Sequence, residues 1–308
     1  MKHLLRDDDL TPAEQGTVLE LAASLKAEPF SDQCLAGPHT VAMIFDKPTL
    51  RTQSSFAAGV AELGGHAMML DGQLAGIGVR ESVADVARVL GRQASVIVWR
   101  TFDQDNLAEM AEWAGVPVIN ALTDDFHPCQ GLADLMTIRQ HRGELAGLTH
   151  TFLGDAASNM GNSTMLAGAL AGMHVRLSGP GGYLPDPEIV KQAQTLAATT
   201  GGSVEVVEDP RAAVEGADAV STDTWVSMGK EDESFRRERV FADWQLDKRL
   251  LSLAANDALV LHCLPAYRGK EITARVLEGS QSVVWDQAEN RRHVQKAVIS
   301  HLLAGASS

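Results

Sequence analysis

Thr49-Leu50-Arg51-Thr52 places two hydroxyls and a guanidinium between an apolar run, residues 41–45, and a helical pattern continuing through Ser55, Phe56, Val60 and Leu63. The first turn of a helix leaves backbone N–H groups without intrahelical partners, and the helix dipole favours negative charge there. Hydroxyls add donors, and an arginine can clamp two oxygens at once, so this turn is built for a phosphate-sized anion. Arg100 closes a second apolar run, 96–99, and in a parallel sheet emerges on the same edge as the Thr49 turn. The ordinary alternative is a polar helix cap with an incidental arginine; two guanidiniums converging on one helix start argue for an anion between them.

Three further strings and one asparagine offer chemistry. His127-Pro128-Cys129-Gln130 opens a helical stretch, with Pro128 suited to its first turn. His127 is thereby held neutral by the dipole and can donate one hydrogen bond to a carbonyl, while the Gln130 amide suits an amide-like group. Asp223-Thr224-Trp225-Val226-Ser227-Met228-Gly229 follows an apolar strand; the Asp223 carboxylate suits an amine, and Ser227 with the thioether of Met228 suits a small slot. His262-Cys263-Leu264-Pro265-Ala266-Tyr267-Arg268-Gly269 follows another strand, with Cys263 at its end and Arg268 in a turn. Asn159 starts a helix after Gly154-Asp155-Ala156-Ala157-Ser158 and can hold a polar ligand. Read alone, these are a capping histidine, an acidic loop around a buried tryptophan, and ordinary strand ends.

Other chemistries fit less well. A zinc site from Cys129, Cys263, His127 and His262 is disfavoured: adjacent strand residues point to opposite faces, and no C-x-x-C pair or closely spaced histidine pair exists. No metal and no cofactor is expected. A nucleophilic Cys263 activated by His127 lacks an orienting third group. Gly76-Ile77-Gly78 has no third glycine at dinucleotide spacing, which disfavours a nicotinamide site.

Strand-like runs alternate with helical patterns to position these groups. Strands are expected over 39–45, 66–70, 95–99, 116–120, 149–153, 174–177, 204–207, 217–221, 259–263 and 282–285. Helices are expected over 52–63, 82–90, 106–113, 127–141, 159–171, 187–198 and 288–303. The alternation predicts an α/β fold of two doubly wound parallel-sheet domains. A composition break at 142–147 sets the boundary. Residues 1–143 form the first domain, joined by a C-terminal helix, 288–308, that returns to it, and 144–287 form the second. Ligands bind beyond the carboxyl ends of strands in such sheets, where every string above lies.

The chain has 308 residues, enough for two ordinary domains, with 45% hydrophobic and 21% charged residues. A net charge of −14 argues against nucleic acid or an anionic membrane as partner. Three scattered cysteines suggest reduced thiols, and the acidic start with no spanning apolar run suggests a cytoplasmic protein.

Taken in order, the phosphate turn and the H-P-x-Q, D-x-x-x-S-M-G and H-C-L-P strings resemble the aspartate/ornithine carbamoyltransferase family, closest to its ornithine branch, over essentially the whole chain. The resemblance implies carbamoyl transfer from carbamoyl phosphate to ornithine, a first domain for carbamoyl phosphate, a second for the amino acid, and a homotrimer or multiple of trimers. It implies a role in amino-acid, and specifically arginine, biosynthesis. It implies that Thr49, Leu50, Arg51, Thr52 and Arg100 hold the phosphate. His127, Arg100 and Thr52 would polarise the carbamoyl oxygen, and Gln130, the backbone around Cys263 and Leu264, and Arg268 would hold the carbamoyl nitrogen. Asn159, Asp223, Ser227 and Met228 would bind ornithine, with Cys263 and Asp223 near the attacking amine.

The chain departs from the family pattern at Thr49 (usually serine), Leu50 (commonly threonine), Gln53 (the second arginine) and Gly76 (often a glutamine reaching a neighbouring subunit, with Gln73 close by). Rival readings are a carbamoyltransferase for putrescine, an N-acylated ornithine or another diamino acid, and a non-catalytic metabolite-binding paralogue.

Overall fold

The computed structural model describes residues 2–226 and 231–306, so Ser227, Met228 and Gly229 lie outside the described residues. The chain forms two compact units, Met1–Ala133 with Glu289–Ser308, and Asp134–Ala288. Each is a parallel sheet with helices.

The first sheet contains β1 (Thr40–Phe45), β2 (His66–Asp71), β3 (Val96–Arg100) and β4 (Val118–Leu122) in the order β2-β1-β3-β4, all parallel. Its central strands are unbroken apolar runs, as a sheet covered on both faces requires. Ala42, Ile44, Ile97, Trp99 and Val118 are buried against Val83, Ala87, Leu107 and Met110 of the flanking helices. The strand order reverses between β1 and β3, and ligands in open α/β sheets bind outside such a reversal.

The second sheet contains β5 (Thr149–Leu153), β6 (His174–Ser178), β7 (Ser203–Val206), β8 (Ala219–Thr222) and β9 (Leu259–His262) in the order β7-β6-β5-β8-β9, again all parallel. Leu153, Val220, Val260, Leu246, Ile272 and Leu277 form its core. The reversal here lies between β5 and β8.

The expected doubly wound architecture is therefore observed, with strand bounds shifted by one or two residues. One expected strand is absent. At residues 282–285 only Ser282 makes an isolated bridge, to Val260, and the closing helix already begins at Val284 and runs to Ala306. Three apolar residues in a row are too few to separate a strand from the first turn of a helix. From Glu289 onward that helix belongs to the first unit. There the buried Lys296 Nζ donates to the carbonyls of Leu25 and Pro29, each at 3.1 Å, and to Glu62 Oε2 at 2.6 Å.

Candidate functional site

In the first unit the helix Arg51–Glu62 starts directly beyond β1. Its N-cap position is Leu50, which offers no capping oxygen and is 76% exposed. The Thr49 hydroxyl takes over, accepting the Thr52 N–H at 3.3 Å. Arg51 and Thr52 thus occupy the first helical turn. β1 and β3 are in register with Phe45 opposite Arg100, so Arg100 reaches the same edge as this turn. The buried Arg100 donates through Nη1 to Thr52 Oγ1 at 3.4 Å.

A further guanidinium joins them. Arg291, buried in the closing helix, donates through Nη2 to the same Thr52 oxygen at 2.8 Å. Its setting in sequence, Glu289-Asn290-Arg291-Arg292-His293, reads as a solvated helix face, and only packing reveals it.

His127 and Gln130 are both buried at the opening of the helix Pro128–Arg142, where the Gln130 N–H donates to the His127 carbonyl at 2.8 Å. Burial, then the positive charges of Arg291, Arg100 and Lys47, hold the His127 imidazole well below its usual pKa. It is neutral at physiological pH and can donate one hydrogen bond without bringing a charge. Burial pushes the Cys129 thiol up to about 12, so it stays protonated at physiological pH. Gln73, close to the Thr49 turn, donates to the Asp46 carbonyl at 2.8 Å.

In the second unit, Asn159 opens the helix Asn159–Leu170 beyond β5, capped by Ser158 accepting the Gly161 N–H at 3.3 Å. A Cβ on Gly161 would lie 2.2 Å from the Ala156 carbonyl, so only glycine lets the loop close over the helix. Asp223 follows β8 and Cys263 follows β9, adjacent strands in which Thr222 stands opposite His262. The Cys263 thiol donates to Asp223 Oδ1 at 3.1 Å. Desolvation is the largest influence on the Asp223 carboxyl and raises its pKa.

His262 is buried behind this pair. Its Nδ1 accepts the Leu264 N–H at 2.9 Å, and Nε2 lies 3.1 Å from Glu271 Oε1. These contacts hold Leu264 at a φ of 58°, which a branched side chain seldom adopts. Asp223, His262 and Cys263 stand close enough to offer three metal-ligand atoms, but both His262 nitrogens are already engaged by the protein.

Two other positions complete the picture. Arg268 is turned to Glu278, its Nε donating at 2.9 Å. Arg237, buried and overlooked in sequence as part of a charged helix, donates to Asp155 at 2.7 Å and to the Trp225 carbonyl at 3.0 Å, tying together the loops that follow β5 and β8.

Comparison with known proteins identifies the family. Residues 2–140 match the family described as the aspartate/ornithine carbamoyltransferase carbamoyl-P binding domain, and residues 146–302 match its Asp/Orn binding domain. The chain belongs to the aspartate/ornithine carbamoyltransferase family. It is 55% identical to an ornithine carbamoyltransferase from Leifsonia xyli over 98% of this chain and 97% of that one. Among solved structures it resembles the ornithine carbamoyltransferase of Pyrococcus furiosus, with a TM-score of 0.94 at 42% identity over 99% of this chain and 97% of that one. It also resembles the anabolic enzyme of Campylobacter jejuni, with a TM-score of 0.92 at 36% identity over 98% and 99%.

Proposed function

We propose that this chain moves the carbamoyl group of carbamoyl phosphate to the side-chain amine of L-ornithine, giving citrulline and phosphate. The observation that carries the reading is the convergence of Arg100 and Arg291 on the Thr52 hydroxyl, at a helix start beside a strand-order reversal. Residues 1–143 with 288–308 form the carbamoyl-phosphate domain in this reading, and 144–287 the ornithine domain.

Thr49, the Leu50 backbone, Arg51, Thr52 and Arg100 hold the phosphate, and Arg291 joins them. Neutral His127, with Arg100 and Thr52, donates to the carbamoyl oxygen. Gln130, the backbone of Cys263 and Leu264, and Arg268 serve the carbamoyl nitrogen; Arg268 must leave Glu278 to do so. Asn159, Asp223, Ser227 and Met228 hold ornithine, with Cys263 and Asp223 closest to its reacting end.

The chemistry is acyl transfer without a covalent enzyme intermediate. The neutral amine attacks the carbamoyl carbon, a C–N bond forms, and negative charge gathers on the carbamoyl oxygen. The bond to the phosphate oxygen then breaks, and the departing phosphate takes the amine proton. Donors fixed in advance around that oxygen supply most of the acceleration; loss of one typically costs about 100-fold or more. A free aliphatic amine titrates near ~10, so the site must select the small deprotonated fraction of ornithine.

A homotrimer or multiple of trimers, a cytoplasmic location and a place in arginine biosynthesis belong to the same proposal. Leu74 and Val79, 82% and 93% exposed on the first unit, support a subunit contact. No helix among the described residues is long and apolar enough to cross a membrane. The anabolic Campylobacter jejuni relative supports the biosynthetic direction. Calorimetric titration of Arg51→Ala with carbamoyl phosphate tests the assignment: affinity should be lost, and retention of wild-type affinity contradicts it.

A further inference from the structure

β4 carries a bulge beside the proposed carbamoyl site. Trp99 pairs with Asn120, yet the next residue, Arg100, pairs with Leu122, so Ala121 is an extra residue opposite Arg100. Bulges re-aim the side chains that follow them. Leu122 here has a φ of 153°, and the chain then turns through 123–126 to deliver His127.

A single buried amide spans this irregularity. Asn120 Oδ1 accepts the Leu122 N–H at 2.8 Å. Its Nδ2 donates to the Leu5 carbonyl at 2.8 Å and reaches Thr123 Oγ1 and the Phe126 carbonyl, each at 3.4 Å. Thr123 closes the turn: its N–H donates to the Phe126 carbonyl at 2.9 Å, and its hydroxyl accepts the Phe126 N–H at 3.1 Å. The near side is fixed too, because Leu4 bridges to Ile119 as an added parallel segment, with its N–H on the Val118 carbonyl at 2.9 Å and its carbonyl on the Asn120 N–H at 2.7 Å. Only an amide serves here, since it offers donors and an acceptor at once; a carboxylate would face two carbonyls with no proton to give.

We infer that Asn120 is a positioning residue for His127, fixing where the imidazole stands by holding the bulge and the turn to the Leu4–Leu5 segment. The inference rests on the assignment of His127 to the carbamoyl oxygen, and its test is read partly without activity. Asn120→Ala should lower kcat by about 10- to 100-fold, the scale of a catalytic group displaced by about an ångström. KM for ornithine should stay within about twofold. Added to His127→Ala, the same change should cost less than about threefold, because coupled residues are not additive. In parallel, the His127 ring resonances of the folded, isotope-labelled protein should shift in Asn120→Ala. Thr123→Val, which removes the next link, should show the same pattern and serves where Asn120→Ala fails to fold. Undiminished loss in the His127→Ala background, equal rises in both KM values, or unmoved His127 resonances overturn the inference. Wild-type turnover by His127→Ala instead overturns the functional assignment, leaving the resonances to judge the positioning.

Discussion

Arg291 and Thr52 stand 239 positions apart in the chain and are joined by a 2.8 Å hydrogen bond from guanidinium to hydroxyl. The closing helix therefore does more than pack against the helices of the first unit: it delivers a charge to the helix start that the proposal gives to phosphate. Arg291→Ala should raise KM for carbamoyl phosphate and lower kcat by roughly 100-fold, the usual loss for one donor to a developing anion. Ornithine KM should change little. Steady-state kinetics with each substrate varied separately checks this, and unchanged carbamoyl phosphate kinetics count against the role.

Asp223 accepts the Cys263 thiol proton at 3.1 Å and belongs to the second unit. Asp223→Asn removes the charge that suits an amine while keeping the shape. It should weaken ornithine at least about tenfold, as loss of a charged partner does, and leave carbamoyl phosphate binding near wild type. Equal loss of both, measured by calorimetry, speaks against dividing the substrates between the two domains.

His150 is buried in the second sheet with its Nε2 2.9 Å from Ser221 Oγ, and burial lowers its pKa to about 4. In the unfolded chain the ring titrates near ~6.5. Between those values the unfolded chain binds a proton that the folded chain does not. Stability is thus full above ~6.5 and falls as pH drops towards 4, by roughly 3 kcal/mol from this group. Denaturant melts at pH 7 and 4.5 should show a smaller acid loss in His150→Gln than in wild type. Identical acid losses contradict the assignment.

Lys296 is buried and satisfies Glu62 and two backbone carbonyls. Lys296→Met leaves the largely buried Glu62 carboxylate with Arg292, at 3.2 Å, as its remaining cation, a loss of about 1–3 kcal/mol. Lys296→Met combined with Glu62→Leu should recover much of it. Thermal melts of the single and double variants check this; a single variant as stable as wild type contradicts it.

Much of this architecture was legible in the chain. Apolar runs such as 149–153 mark strands buried on both faces, and the helix that the pattern starts near Thr52 begins at Arg51. The first helix, Pro12–Ala27, was missed although Thr11, Pro12 and Glu14 form a capping box whose Thr11 hydroxyl accepts the Glu14 N–H at 3.3 Å. Arg291 and Arg237 were not legible, because a charged helix face reads as solvated until tertiary packing buries it. Asn120 was hidden for a related reason: the bulge it spans is a relationship between strands, and no spacing along one strand records it.

The most direct measurement is the rate of carbamoyl transfer from carbamoyl phosphate to L-ornithine, read as the carbamoylated product (citrulline), set against the carbamoylated products of putrescine and N-acetylornithine at equal concentration. The amine should be accepted only with both α-amino and α-carboxylate groups free, so L-ornithine should lead by two orders of magnitude or more, roughly the cost of leaving buried polar groups without partners. No turnover with any amine, or a faster rate with either analogue, contradicts the account.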